Sequence, residues 1–210
     1  MAVHYRTQGF FIRRTDRGED SQLFTVYTKD FGKLRILGKA IRKIKSKLRS
    51  GAELFYLSDI EFIQGKSHKT LTDAILIDSF PAIKESPLKL RIIYKIAEIL
   101  DDLAVKEEKD NQIWPLLKEV LDKLNSPQFK IKYLPLLYYY FFWNFVSILG
   151  YEPKFEHCLI NAQETDCDVV KIIKVILKKD WSILSRLRVE ARHQKLLKDV
   201  TAWYNETIQE

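Results

Sequence analysis

The 210-residue chain reads as α+β, a small five-stranded β-barrel over residues 1–80 followed by an all-α helical domain over residues 81–210. Three observations carry that reading. Apolar residues recur with period two, between turn-forming residues, as far as Phe80; beyond it they recur with the period of a helix. The composition, 46% hydrophobic and 30% charged with only 7 Gly and 6 Pro, is that of an ordered chain able to bury a core. All 4 tryptophans, Trp114, Trp143, Trp181 and Trp203, fall in the second part, where helices need bulky packing.

HYRTQGFFIRR (4–14) is the first predicted strand and TDRGED the polar turn after it. SQLFTVYT (21–28) is the second, KDFG its turn, and KLRILG (33–38) the third. AELFYLSDIEFI (52–63), the turn QGKSHK and TLTDAILIDSF (70–80) complete the set. These runs are rich in β-branched and aromatic residues and are bounded by Gly, Asp and Ser. Short antiparallel strands in so few residues suit a closed barrel, an OB-fold first and an SH3-like barrel as the alternative.

Ser86 and Pro87 supply an N-cap and an N1 proline for a helix whose stripe is Leu90, Ile93, Ala97, Leu100 and Ala104. Asn111 can cap a second helix, IWPLLKEVLDKL, and a third runs from about Phe129 to Leu149, stopping at Gly150. Three more candidates follow Asp166: VVKIIKVILKK, WSILSRLRVEARHQ and KLLKDVTAWYNETI. Tyr133–Tyr151 is 19 residues without a charge, a length that could span a bilayer. Pro135, Asn144, Ser147 and a tyrosine-filled centre argue instead for a buried central helix.

The net charge of +7 is unevenly placed. Residues 1–80 carry 15 Lys/Arg against 9 Asp/Glu, whereas residues 81–210 carry 20 against 19. The asymmetry points to an N-terminal module facing a polyanion. With two cysteines and no secretion pattern at the start, a reducing cytoplasmic setting is expected.

No catalytic signature is present: no phosphate-binding glycine loop, no nucleophile elbow and no H-E-x-x-H. His4, His68, His157 and His193 are scattered singly, and Asp101-Asp102 and Glu107-Glu108 read as solvated helix-end acids. His157-Cys158 with Cys167 is the one plausible metal cluster, but zinc sites usually bring cysteines in close pairs. Free thiols fit better, and neither metal nor cofactor is expected.

The strongest positive signal is GKAIRKIKSKLRSG (38–51). Between Asp30 and Glu53 every charged residue is a cation: Lys33, Arg35, Lys39, Arg42, Lys43, Lys45, Lys47 and Arg49. Lys33 and Arg35 alternate on one face of the third strand, and the rest lie on the loop after it. Ile41, Ile44 and Leu48 are spaced for a short helical turn pinning that loop to the barrel, with the cations outward. Such a loop can track phosphates without reading bases. The alternatives are a merely solvated loop or an import signal. A second cluster, Lys171, Lys174, Lys178, Lys179, Arg186, Arg188 and Arg192, is either another anionic contact or the wet side of an amphipathic helix.

The order of these features resembles the RecO family of bacterial DNA repair and recombination mediators. Its opening pattern, G-x-[VI]-L-R-x-x-[DN]-x-G-E-x-D, is approximated by Gly9 to Asp20, with Phe11 and Ile12 at its apolar positions and Asp20 directly after Glu19, and its Leu-x-Thr segment is matched by LFTVYTKDFGK (23–33). GKAIRKIKSKL (38–48) looks like its G-[AS]-x-x-x-K-S-[KR] motif. DSFPAIKE (78–85) is similar to its junction, and ILGYEPKFEHC (148–158) to its LLGYxPxLxxC. The resemblance implies an OB-fold on a helical domain that binds single- and double-stranded DNA and anneals complementary strands. It implies help in loading a recombinase onto strands coated by single-stranded DNA-binding protein. Its implied partners are RecR and the acidic C-terminal tail of that coating protein, in a cytoplasmic, nucleoid-associated setting.

Carried over by position, the DNA contacts are Lys33, Arg35, Lys39, Arg42, Lys43, Lys45 and Lys47, with Arg49 beside them; Lys171, Lys174, Lys178, Arg186 and Arg188 are the tentative tail-binding set. Many relatives hold a zinc ribbon here, yet Asn161 stands where its next cysteine would be, so the ribbon reads as lost. Two other classes stay open: an OB-type RNA binder, and an adaptor that binds only proteins.

Overall fold

The computed structural model describes residues 3–209. Two compact units divide the chain, Met1–Trp114 and Pro115–Glu210. In the first, β1 (His4–Arg17), β2 (Ser21–Thr28), β3 (Gly32–Gly38), β4 (Leu57–Gln64) and β5 (Lys69–Asp78) close a barrel in the order β1-β2-β3-β5-β4. This is the five-stranded barrel of an OB-fold, with one departure from the all-antiparallel expectation. β3 and β5 pair in parallel, Ile36 with Lys69 and Leu37 with Thr70, and so seal the cylinder. The interior is filled by Phe11, Phe24, Val26, Leu34, Ile36, Ile60, Phe62 and Leu71.

β1 is longer than its apolar run, because Thr15, Asp16 and Arg17 pair with Leu23, Gln22 and Ser21 in a two-stranded extension. A bulge between Phe11 and Arg13 leaves Phe10, Phe11 and Ile12 all buried in succession. The backbone groups of Phe11 that the bulge frees are satisfied by Phe55, which donates to Phe11 O at 2.9 Å, and by Tyr56 O, which accepts from Phe11 N at 3.1 Å. That use of residues 55 and 56 explains why β4 begins at Leu57 rather than at Ala52.

After the barrel, α1 (Pro81–Lys84) and α2 (Pro87–Leu103) follow, α2 capped by Ser86 Oγ as expected. The predicted stripe is widened by Ile92, Ile96 and Ile99, so α2 is buried over two faces. The chain then returns to β3, where Glu107 N donates to Lys33 O at 3.0 Å. Gly32, at φ +62°, lies so close to the Glu108 backbone that a Cβ would collide with it.

α3 (Ile113–Asn125) is capped by Asp110, whose carboxylate accepts from Gln112 N and Ile113 N, one residue before the expected Asn111. In the second unit α4 (Leu134–Ile148) is the buried central helix, buried from Leu136 to Val146 except at the half-buried Tyr138. No helix among the described residues is long and apolar enough to cross a membrane. Asn144 Nδ2 ties α4 to α5 (Cys167–Leu177) by donating to Tyr140 O at 2.8 Å and Ile176 O at 3.1 Å.

Two expectations for this unit need correction. It is not purely helical: β6 (Phe155–Glu156), β7 (Leu159–Ile160) and β8 (Gln163–Glu164) form a small meander. The segment 181–194 is not one helix but α6 (Trp181–Leu184), an irregular stretch, and then α7 (Ala191–Thr207). The meander also changes the reading of the cysteines. By folding the chain back it brings Cys158 to Cys167, with Cα atoms 4.4 Å apart, and the two are joined as a disulfide rather than standing as free thiols.

Candidate nucleic-acid interface

The cationic segment leaves β3 at Gly38 and is fastened to the barrel at both ends. Ile41 is buried to 2% exposure and Leu48 packs against the barrel core, as the spacing predicts. Ala40 N donates to Ser21 Oγ at 3.2 Å, and Arg42 N to Asp20 O at 3.0 Å, holding the near end to the β1–β2 hairpin. At the far end a 3-10 turn, Lys47–Ser50, leads to Gly51, where a Cβ would strike the Ala74 carbonyl of β5. Gly51 O accepts from Ser58 Oγ at 2.5 Å. The loop is therefore a built element. Ile44 is the exception to the pinning pattern: it points outward, 91% exposed.

The eight predicted cations divide into three groups. Lys33 is 5% exposed, its ammonium donating to Asp101 O beneath the returning segment, with Lys106 bridged alongside. Burial pushes its pKa down, against an opposing pull from Asp101. So placed, it is part of the barrel wall. Arg42 and Lys43 are exposed but partnered, Arg42 with Asp16 at 3.6 Å and Lys43 with Asp20 at 3.3 Å. Arg35, Lys39, Lys45, Lys47 and Arg49 are exposed and have no ion-pair partner among the described residues. Cations not neutralised by an ion pair attract a polyanion, and that attraction is screened by salt.

Arg13 and Arg14, just beyond the bulge of β1, were not singled out by sequence pattern. Arg13 pairs with Asp101 at 3.0 Å and Arg14 with Glu53, so both are neutralised within the barrel unit.

The second predicted cluster is split. Arg186 and Arg188 line a cavity of about 540 Å³ with Lys132, Leu136, Tyr139 and Leu197. Burial, reinforced by Asp199, pushes the Tyr139 hydroxyl up to about 12, so it stays protonated at physiological pH. Lys171, Lys174 and Lys178 do not line this cavity. Lys171 pairs with Asp168 at 2.9 Å, and Lys174 lies 5.2 Å from the centre of the Phe155 ring. Lys132, which sequence reading missed, sits on the short 3-10 turn Ile131–Tyr133 before α4, where Lys130 and Lys132 form no run long enough to stand out.

A structural zinc needs about four donors. Cys158 and Cys167 are bonded to each other, and Asn161 Nδ2 and Oδ1 are engaged with Tyr204 and Lys154 N. Among the described residues no group of three or more His, Cys, Asp or Glu is arranged to hold a metal.

The architecture is an OB barrel bearing an anchored loop, on which Lys39, Lys45, Lys47 and Arg49 are exposed without ion-pair partners among the described residues, followed in the chain by helices. Comparison with known proteins is more particular: the chain belongs to the RecO family. The family model for the recombination protein O N-terminal region matches residues 1–80, and that for its C-terminal region matches residues 85–168. The chain is similar to the DNA repair protein RecO of Trichodesmium erythraeum, 27% identical over 173 residues that cover 80% of this chain and 60% of that protein. It is similar to that of Syntrophomonas wolfei, 26% identical over 170 residues, covering 81% and 66% respectively. For Dehalococcoides mccartyi the figures are 28% over 155 residues, 73% and 59%. The matches thus span about 60% of the length of the relatives.

Proposed function

We propose that this protein is a DNA-binding recombination mediator in DNA repair. It would anneal complementary strands and assist recombinase loading on DNA coated by single-stranded DNA-binding protein. The observation that carries the reading is the set of five exposed cations without ion-pair partners, Arg35 on β3 and Lys39, Lys45, Lys47 and Arg49 on the loop after it, which is fastened to an OB barrel. Membership of a family whose relatives are named DNA repair proteins supports it.

The mechanism is electrostatic rather than catalytic. Two DNA strands approaching one another repel through their phosphates, and lysines and arginines placed between them lower that repulsion while releasing condensed counterions. A rigidly held loop loses little conformational freedom on binding, which favours affinity. Arg42 and Lys43 can exchange their aspartate partners for phosphate at a further cost, so they contribute less than the five free cations.

The second unit would take the acidic tail of the coating protein in the cavity lined by Arg186 and Arg188. Apolar walls at Leu136 and Leu197 beside guanidinium groups suit a peptide with both acidic and apolar side chains. Lys171, Lys174 and Lys178 would act at most as a peripheral field for it. A RecR-like protein is the other expected partner. We expect no bound zinc, and stoichiometric zinc by elemental analysis would contradict that.

A fluorescence annealing assay with bare and protein-coated complementary strands tests the reading. Acceleration of both is expected, with the coated reaction lost in Arg186→Glu/Arg188→Glu and the bare one retained. An RNA binder would prefer RNA in competition with the same DNA strand. A protein-only adaptor would accelerate neither reaction.

A further inference from the structure

Ile44 is the most exposed of the large apolar side chains described, at 91%; the next, Val3, is at 61%. It lies in the middle of the most cationic stretch of the chain, between Lys43 and Lys45. Its position is fixed by the backbone. Ser46 N donates to Lys43 O at 2.9 Å, which closes a turn with Ile44 and Lys45 at its two central positions. Lys43 N donates to Ala40 O at 3.2 Å, and Arg42 is tied to the β1–β2 hairpin, so the turn stands on an anchored base.

Turn chemistry favours Pro, Ser, Asp or Gly at such positions, and a β-branched aliphatic exposed there gains nothing from the fold. The barrel core is closed by Ile41 and Leu48 on either side, so it does not need Ile44. An apolar tip among cations is the arrangement by which DNA-binding proteins insert a wedge at base steps while holding the neighbouring phosphates.

We propose that Ile44 is an apolar wedge that packs against, and unstacks, the bases of single-stranded DNA held by Lys45, Lys47 and Arg49. The inference rests on the DNA-binding reading above and deepens it by giving the loop a contact with bases as well as phosphates. Charge complementarity selects the occupant, because base faces are the apolar surfaces that a polyanion offers. A single strand presents those faces without first breaking pairs. The consequence for annealing is direct: a strand whose bases are splayed at one step is open to pairing with a complement.

The test uses a single-stranded oligonucleotide carrying 2-aminopurine between adenines, whose fluorescence rises on unstacking. The wild-type protein is expected to raise the signal at saturation. Ile44→Ser should bind with an unchanged salt dependence and an affinity lowered by about tenfold or less, without the rise, and Ile44→Phe should restore it. An unchanged melting temperature for both variants is expected from the exposure of the site. An equal rise with Ile44→Ser, or binding by the wild type with no rise, would overturn the wedge and leave the DNA-binding reading standing. An equal rise with the same probe in a fully paired duplex would overturn the single-strand assignment. If Ile44→Ser leaves the DNA signal intact but weakens capture of an acidic peptide, the contact is with protein and the proposal falls. Failure of the wild type to bind DNA at low salt would end both readings.

Discussion

Lys33 and Arg35 stand two residues apart on the outer face of β3, and their surroundings assign them different work. Lys33 is covered by the end of α2 and the segment after it, and its ammonium donates to the Asp101 backbone carbonyl in the last turn of α2. Arg35 faces solvent. Lys33→Ala should cost about 1–3 kcal/mol of stability, the usual penalty for stripping a buried group of its partner, and leave DNA affinity close to wild type. Arg35→Ala should change stability by less than about 0.5 kcal/mol and weaken DNA binding. Urea denaturation with a parallel binding titration separates the two. The sequence shows both as cations on one strand face. It cannot show which is covered, because the cover comes from residues 101–107, far along the chain. Ile44 was misplaced for a related reason: its spacing from Ile41 and Leu48 suits a helical turn, but the hydrogen bond from Ser46 N to Lys43 O makes a tighter one.

At the scale of the elements, caps and close approaches set what can be changed. Asp166 caps α5: its carboxylate accepts from Asp168 N at 2.8 Å and pairs with Arg192. These contacts hold its carboxyl below the ordinary value of 3.8. A depressed carboxyl contributes stability in full above its unfolded value, and that stability is lost as pH falls through the folded one. Asp166→Ala should therefore melt at a lower temperature than wild type at pH 7, and the gap should close as pH drops below 3.8. Gly32→Ala should destabilise by about 1–2 kcal/mol or more, since the residue has positive φ and would meet the Glu108 backbone. The caps at Ser86 and the barrel strands were legible because capping and alternation are local signals. The break inside 181–194 was not. Arg186, Leu187, Arg188 and Val189 have ordinary helical spacing, yet they lie outside any helix and line the cavity, a placement with no local signal in the sequence.

Across the whole molecule, the change from strand to helical periodicity at Phe80 and the charge asymmetry were legible, since both are properties of long windows. The parallel closure of β3 on β5 was not, because pairing partners distant in sequence leave no local mark. The same holds for Cys158 and Cys167, whose nine-residue separation reads as distance until the β6–β8 meander folds it away. The division of the cations of β3 and the loop after it into buried, partnered and free charges has a quantitative consequence. Five free cations, rather than all eight, should neutralise phosphates, so the log–log slope of affinity against salt should be about −3.5 on single strands and about −4.5 on duplex. The most direct test is that slope, measured by fluorescence anisotropy on a single-stranded oligonucleotide for wild type and for Lys45→Glu/Lys47→Glu/Arg49→Glu. A slope near −3.5 is expected for wild type and, for the variant, a loss of at least about 100-fold in affinity at low salt with a much shallower slope. Equal affinity and equal slope in the two proteins would contradict it.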